Sequence, residues 1–109
     1  MTDNIQKLYE VAGVPRIYSE FNNGKETVVE NVFSPYKQLE LIKWLATKQE
    51  KFTILYDSDY GYTCEVVNIN NCYESFSYYE PIQALCNLTI GLWNDLSDEQ
   101  REEVKRILQ

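Results

Sequence analysis

The sequence predicts an α+β fold, a small two-layer domain in which short antiparallel β-hairpins pack against three to four helices. Two features support this prediction. Apolar residues recur at helical spacing near both ends and in the middle of the chain, and between them lie two β-prone segments that each contain a local turn. Because both strand pairs are local hairpins, the helices should gather on one face of an antiparallel sheet. With 109 residues, the chain should form a single domain over residues 1–109.

The first predicted elements are a helix and a hairpin. Asp3 is placed to cap the helix at its start, and Gly13 is placed to end it in a left-handed conformation. The sequence NNGK then predicts a turn that joins strands at residues 16–21 and 27–33.

A second helix is predicted over residues 35–49, with Ser34 as its N-cap and Pro35 at its first position. Trp44 falls at the border of its apolar face, where we expect it to cover the core; the alternative is an exposed anchor for a partner. The residues assigned to that face are Leu39, Leu41, Ile42, Leu45 and Ala46.

A second hairpin is predicted next. Its strands are expected at residues 52–56 and 62–69, with a turn at residues 57–61 and a third short strand at residues 72–76. The strand residues expected in the core are Ile54, Tyr56 and Val66.

The last two predicted elements are helices. Residues 81–94 carry no charge and are apolar around most of a helix, so this helix should be buried. Close approach of a neighbouring strand would explain Gly91 within it. Ser97 and Gln100 form a capping box, which predicts a final helix that continues to Leu108.

The residue types exclude most common catalytic designs. The chain has no histidine, so it cannot use Ser-His-Asp or Cys-His catalysis or a histidine general base. Its three cysteines form no C-x-x-C motif and are expected to be reduced thiols. Its four glycines stand apart, which excludes a phosphate-binding glycine-rich loop. We therefore predict a non-enzymatic protein with no cofactor and no metal.

The charge narrows the class of partner. Ten basic and seventeen acidic residues give a formal net charge of −7. Nucleic acid and anionic membranes are not expected ligands, because both are bound through clustered Lys and Arg. A basic protein, or the nucleic-acid groove of one, is the favoured partner. The sequence has no leader-like or membrane-spanning apolar run, which predicts a cytoplasmic protein.

Residues 52–80 are the candidate partner-binding stretch. They are rich in carboxylates and tyrosines, and no Lys or Arg occurs between Lys51 and Arg101. Rigid tyrosines can supply contact area, while carboxylates can select a basic groove in which they stand in for phosphates. The predicted binding residues are Asp57, Asp59, Tyr60, Tyr62, Glu65, Tyr73 and Glu74.

The same residues are also compatible with purely structural roles. Strands favour aromatic residues, so any one of the tyrosines could instead be half-buried in the sheet. Asp57, Asp59 and Gly61 resemble the start of a calcium loop, but its twelfth position falls on Asn68 where a Glu is needed. A solvated turn is the simpler interpretation.

Three segments, KLYEVAGV, KQLELIKWL and LWNDLSDEQREEVKRIL, resemble small, mostly uncharacterised accessory proteins of phages and prophages of Gram-positive bacteria. The likeness leaves residues 15–34 and 51–79 as the divergent part and brings no catalytic motif. It implies a protein encoded by a phage or mobile element and acting in the cytoplasm of a bacterial host. Accessory genes of this size often encode inhibitors of host defence, including anti-CRISPR proteins, many of which are small, acidic and non-enzymatic.

Three functions are compatible with these observations. The first is a binding protein that inhibits a host nucleic-acid-handling defence system, with a CRISPR effector as the most concrete target. The second is a homo-oligomeric structural or assembly protein of a phage, for example a homodimer joined through exposed aromatic residues. The third is a small-molecule sponge or an enzyme, for which the missing basic residues would leave the phosphates of a nucleotide uncompensated.

Overall fold

A computed structural model describes residues 3–16, 21–22, 24–26, 31–67, 71–77 and 80–109. This part of the chain has the predicted α+β fold, with four α-helices, a three-stranded antiparallel sheet and a separate two-stranded hairpin. The helices are α1 (Asn4–Ala12), α2 (Pro35–Lys48), α3 (Pro81–Leu92) and α4 (Asp98–Leu108), and a 3₁₀ turn at Trp93–Asp95 lies between the last two. The strands are β1 (Phe21–Asn22), β2 (Lys25–Glu26), β3 (Lys51–Asp57), β4 (Gly61–Val67) and β5 (Cys72–Ser77).

The ends of α1 are those that the sequence predicts. The Asp3 side chain accepts a hydrogen bond from the Ile5 N–H at 2.9 Å, and Gly13 ends the helix with a φ of 73°. The side chain of Gln83 in α3 donates to Asp3 at 2.6 Å and accepts from the Asn4 N–H at 2.9 Å. These bonds attach the start of α1 to α3.

The first hairpin is present at its predicted turn. Asn22 pairs with Lys25, so the turn falls within NNGK, and Gly24 has a φ of 77°. Residues 17–20 and 27–30 of the two predicted strands lie outside the described residues. The predicted strand does not extend over residues 31–33, because Asn31 has a φ of 61°, a left-handed conformation that interrupts a strand.

Helix α2 confirms the predicted cap and places Trp44 over the core. Trp44 is buried, and its Nε1–H donates to the Glu103 carboxylate of α4 at 2.6 Å. The predicted apolar face was too broad, since Leu41 and Leu45 are buried whereas Leu39 and Ala46 are exposed. The reason is that α2 packs mainly on α4, and a single helix covers only a narrow stripe.

Helix α3 is the buried element that its composition predicts. It lies across β4 and β5 and also packs against α1. Its buried residues are Ala84, Leu85, Cys86, Leu88, Thr89 and Leu92. The Asn87 side chain also donates to the Ser75 hydroxyl of β5 at 2.9 Å, which fastens the helix to that strand. The expectation for Gly91 was wrong, because Gly91 is exposed and a Cβ built on it meets no atom within 4 Å.

The sheet has the order β3-β4-β5, with β4 in the centre. Cys64 and Val66 of β4 point towards the helices and are buried, as predicted for Val66. The prediction that Ile54 and Tyr56 belong to the core was wrong, since they are 41% and 67% exposed. Both lie on the face that carries Cys64 and Val66, but α3 covers β4 and β5 and leaves most of β3 beyond its edge.

Among the helices of the described ranges, none combines the length and the apolar character needed to cross a membrane.

Candidate functional site

The turn between β3 and β4 is held by its own residues. The Asp57 carboxylate accepts a hydrogen bond from the Asp59 N–H at 2.7 Å, and Gly61 has a φ of 81°, which glycine adopts without a steric penalty. Asp57 pairs with Gly61, so Ser58, Asp59 and Tyr60 form the tip. The tip is exposed to solvent, and Tyr60 is 70% exposed. Asp57 therefore has a structural role in the turn as well as a place in the candidate site.

A groove of about 550 Å³ lies beside this turn, mainly on the face of the sheet that points away from the helices. We call it the acidic groove. It is lined by Leu55, Tyr56, Asp57, Tyr60, Thr63, Glu65 and Glu74. Three of these residues are carboxylates and none is basic, so a ligand in the groove meets negative charge beside apolar and aromatic surface.

Two of the carboxylates, Glu65 and Glu74, lie directly opposite each other on β4 and β5. Side chains that face each other across antiparallel strands are in close proximity, and like charges in this arrangement destabilise the sheet. The ion pairs formed among the described residues involve neither carboxylate. The groove therefore presents two neighbouring carboxylates from adjacent strands, and neither belongs to an ion pair of the described residues.

The structure divides the predicted binding residues into two groups. Asp57, Tyr60, Glu65 and Glu74 line the acidic groove, and Asp59 lies exposed in the adjoining turn. Tyr62 and Tyr73 belong to the opposite face of the sheet. The Tyr62 ring packs on Tyr56 with 5.0 Å between ring centroids, and Tyr73 is half-buried against the core. Tyr73 therefore has the structural role that the sequence left open for the strand tyrosines, half-buried in the sheet.

Three residues of the groove were missed by the sequence prediction, namely Leu55, Tyr56 and Thr63. A signal for Leu55 exists in the sequence. The run Ile54-Leu55-Tyr56 does not alternate between apolar and polar residues, so one of its two faces must present apolar side chains away from the core. Leu55 is 62% exposed.

Neither the potential metal ligands nor the buried cysteines of the described residues form a reactive site. The part of the chain that the structure describes contains no group of three or more potential metal ligands. Burial raises the pKa of the Cys64 thiol to about 11 and that of Cys86 to about 12, so both thiols stay protonated near neutral pH. What the acidic groove offers is recognition of cationic groups on an apolar stem, such as arginine and lysine side chains.

Comparisons with models of protein families, with curated proteins and with solved structures found no match to this chain.

Proposed function

We propose that this chain is a non-enzymatic binding protein, encoded by a phage or mobile element, that inhibits a host nucleic-acid-handling defence protein. In this proposal the acidic groove and its turn enter a basic groove of the target, in the manner of an anti-CRISPR protein. A CRISPR effector is the most concrete target, and the site of action is the cytoplasm of the bacterial host.

The observation that carries the proposal is the pair formed by Glu65 and Glu74. Two carboxylates that face each other across strands cost stability in the free protein. A partner that places a guanidinium or ammonium group between them converts this cost into two charge-assisted hydrogen bonds. The two carboxylates are therefore more favourable when a cation is bound between them than in the free protein.

The surroundings of the pair suit the same ligand. Leu55 and Tyr60 are exposed beside the carboxylates, where they can pack on the aliphatic stem of an arginine or lysine side chain. Asp59, at the tip of the turn, extends the negative charge beyond the groove. A group of carboxylates arranged in this way can occupy a surface on which the partner otherwise binds phosphates.

Two further features support a protein target over other ligands. The net charge of −7 favours encounter with a basic surface. A nucleotide is a poor fit, because the described lining of the groove offers no cation to compensate a phosphate. The resemblance to phage and prophage accessory proteins supplies the host-directed, inhibitory part of the proposal, together with the expectation of a non-enzymatic protein.

A capture and competition experiment tests the proposal. The tagged chain is compared with a groove variant that combines Asp59→Lys, Glu65→Lys and Glu74→Lys. These substitutions spare Asp57, whose carboxylate holds the turn. We expect the wild-type chain to retain a basic nucleic-acid-binding protein from a bacterial lysate. We also expect the purified wild-type chain to displace labelled nucleic acid from that protein, and the groove variant to do neither.

The matched control combines Glu10→Lys, Glu50→Lys and Asp95→Lys, three exposed carboxylates that do not line the groove. It has the same change in net charge as the groove variant and should bind like the wild type. Circular dichroism shows whether each variant is folded. Equal capture by both triple variants, or a captured protein whose nucleic acid is not displaced, would contradict the proposal.

A further inference from the structure

Strand β3 lies at an edge of the sheet, because the order β3-β4-β5 gives it a single neighbouring strand among the described residues. A free edge presents unpaired backbone N–H and C=O groups, and proteins usually protect such edges with proline, a β-bulge or charged side chains, lysine in particular. Strand β3 contains no proline and pairs with β4 in an unbroken register. Its charges, Lys51 and Asp57, are confined to its two ends, and residues 52–56 carry none.

Strand β3 exposes apolar side chains on the face of the sheet that bears the helices and one apolar side chain, Leu55, on the other face. Ile54 and Tyr56 lie on the face that bears the helices but project past the edge of α3, and Leu55 lies on the opposite face. All three are exposed. A second strand placed along this edge would therefore satisfy the free backbone groups and cover apolar surface on both faces at once.

The sequence of β3 is complementary to itself in the antiparallel direction. When two copies pair about Ile54, the Ile54 side chains meet at the twofold axis and Phe52 lies opposite Tyr56. On the other face, Thr53 lies opposite Leu55 and Lys51 lies opposite Asp57. Every position then faces a compatible one, with an ion pair at each end of the strand pair.

Neighbouring registers lack this match. If the axis moves from Ile54 to Thr53, Lys51 lies opposite Leu55, and Asp57 extends beyond the first residue of the partner strand. If the axis moves to Leu55, Asp57 lies opposite Thr53, and Lys51 lies opposite Asp59 in the turn, beyond the end of the strand. Pairing about Ile54 is therefore the register that joins the two end charges of β3 within the strands. Lys51 is also the last basic residue before Arg101, so it is the one positive charge within residues 51–100.

From this complementarity we infer that the chain forms a homodimer through antiparallel pairing of β3 with β3 of a second copy. The two three-stranded sheets become one continuous sheet with a twofold axis at Ile54. The interface is isologous, as in most symmetric dimers. The two β3–β4 turns lie at opposite ends of the contact, and Asp59 and Tyr60 stay accessible in each copy. Leu55, Tyr56 and Asp57 belong both to the contact and to the acidic groove, so a basic partner and the second copy compete for these residues. This inference goes beyond the proposed function and does not depend on it.

Sedimentation velocity from micromolar to millimolar protein tests the inference. One strand pair buries less surface than a permanent dimer interface, so we expect association that depends on concentration. Ile54→Lys places two like charges at the axis and should weaken association by about tenfold or more. Val11→Lys in α1 is the matched control, since Val11 is 43% exposed and lies away from the sheet; this variant should associate like the wild type.

Removal of the end charges tests the register. Lys51→Gln and Asp57→Asn should each weaken the dimer, because each substitution removes one charge from both end pairs. The asparagine side chain introduced in place of Asp57 still has an oxygen that can accept from the Asp59 N–H. Once one charge of the pair is absent, the second substitution should have little further effect, so the double variant should associate about as strongly as either single variant. A wild-type chain that stays monomeric at millimolar concentration would overturn the inference. Equal association of the Ile54→Lys and Val11→Lys variants, or additive effects of the two charge substitutions, would also overturn it.

Different variants test the homodimer and the binding of a basic partner, so the failure of one proposal can be distinguished from the failure of the other. Lys51 and Ile54 do not line the acidic groove, so variants at these positions should still capture the basic partner. The Glu65→Lys and Glu74→Lys substitutions lie on β4 and β5 rather than on the free edge, so they should leave the dimer in place.

Discussion

The Tyr9 hydroxyl donates a hydrogen bond to the main-chain carbonyl oxygen of Leu108 at 3.0 Å, although the two residues are ninety-nine positions apart in the chain. The bond joins α1 to the last turn of α4, where carbonyl groups have no partner within the helix. The Lys37 ammonium donates to the same oxygen at 3.2 Å, so α1, α2 and α4 meet at one backbone atom.

Tyr9→Phe should lower the free energy of unfolding by about 0.5–1.5 kcal/mol, the usual net value of one hydrogen bond. The loss should stay in this range because Lys37 still satisfies the Leu108 carbonyl oxygen. Urea denaturation measures the effect, and Tyr36→Phe, at an exposed tyrosine, is the control. Equal stability of the two variants would show that the buried bond contributes nothing.

The protein should lose stability in alkaline solution. Burial raises the pKa of Tyr9 to about 12, of Cys64 to about 11 and of Cys86 to about 12, from ordinary values of 10.0 for tyrosine and 9.0 for cysteine. Above about pH 9 the unfolded chain releases protons that the folded chain retains, so the free energy of unfolding should fall as the pH rises towards 12.

The variant Cys86→Ala checks this pH dependence. Without the thiol, the decline in the free energy of unfolding between about pH 9 and pH 12 should be shallower than in the wild type. The quantity to compare is the slope of the free energy of unfolding against pH, because the substitution also removes atoms from the core and so lowers the stability at every pH. Cys72→Ala, at an exposed cysteine, should keep the slope of the wild type. Identical slopes for all three proteins would show that the buried Cys86 thiol does not contribute to the loss of stability at high pH.

Gly91→Ala should stabilise the protein by about 0.5–1 kcal/mol, because Gly91 lies in α3 and a methyl group there meets no neighbouring atom. The opposite change is expected for Gly13→Ala, since Gly13 has a φ of 73° that costs an alanine about 1 kcal/mol or more. Thermal unfolding measures the stability of each variant relative to the wild type. A destabilised Gly91→Ala would indicate a neighbour at this position.

Leu85→Ala should lower the free energy of unfolding by about 2–5 kcal/mol, since Leu85 is fully buried in α3. Leu39→Ala should cost less than about 0.5 kcal/mol, because Leu39 is 49% exposed in α2. The sequence pattern assigns both leucines to the core. Chemical denaturation measures the loss of stability in each variant: equal losses would support the sequence pattern, and a large loss for Leu85→Ala alone would support the observed packing.

Glu74→Gln should raise the free energy of unfolding by about 0.2–1 kcal/mol at low ionic strength, because it removes a like-charged cross-strand pair with Glu65. Added salt should reduce the difference, since it screens exposed charges. Glu50→Gln, at an exposed carboxylate outside the groove, should have little effect. A Glu74→Gln variant less stable than the wild type would show that the pair has no electrostatic cost.

The predictions from sequence succeeded where the deciding interaction is local. Ser34 and Ser97 cap their helices by accepting from N–H groups three residues ahead, at 3.3 and 3.2 Å. Such short-range chemistry depends on the neighbouring residues alone, so it can be recognised without the fold. The turn at Asp57 and Gly61 belongs to the same class.

The predictions failed where coverage by another element decides. Ile54 and Tyr56 have the composition of core residues but lie on an edge strand beyond α3. For the same reason, the acidic groove was predicted only in part. Its carboxylates were recognised from their composition, whereas the contribution of Leu55 and the inward position of Tyr73 depend on register and strand order.

The sequence by itself determined the fold class, the helix caps, the burial of α3 and the acidic, tyrosine-rich character of the second hairpin. Each of these follows from residue type and from spacing of a few residues. The tertiary structure alone decided that Glu65 faces Glu74, that these carboxylates share a groove with Leu55 and Tyr60, and that β3 is left at an edge. The physical reason is that strand order and the position of α3 set which side chains are covered, and both arise from contacts between residues far apart in the chain.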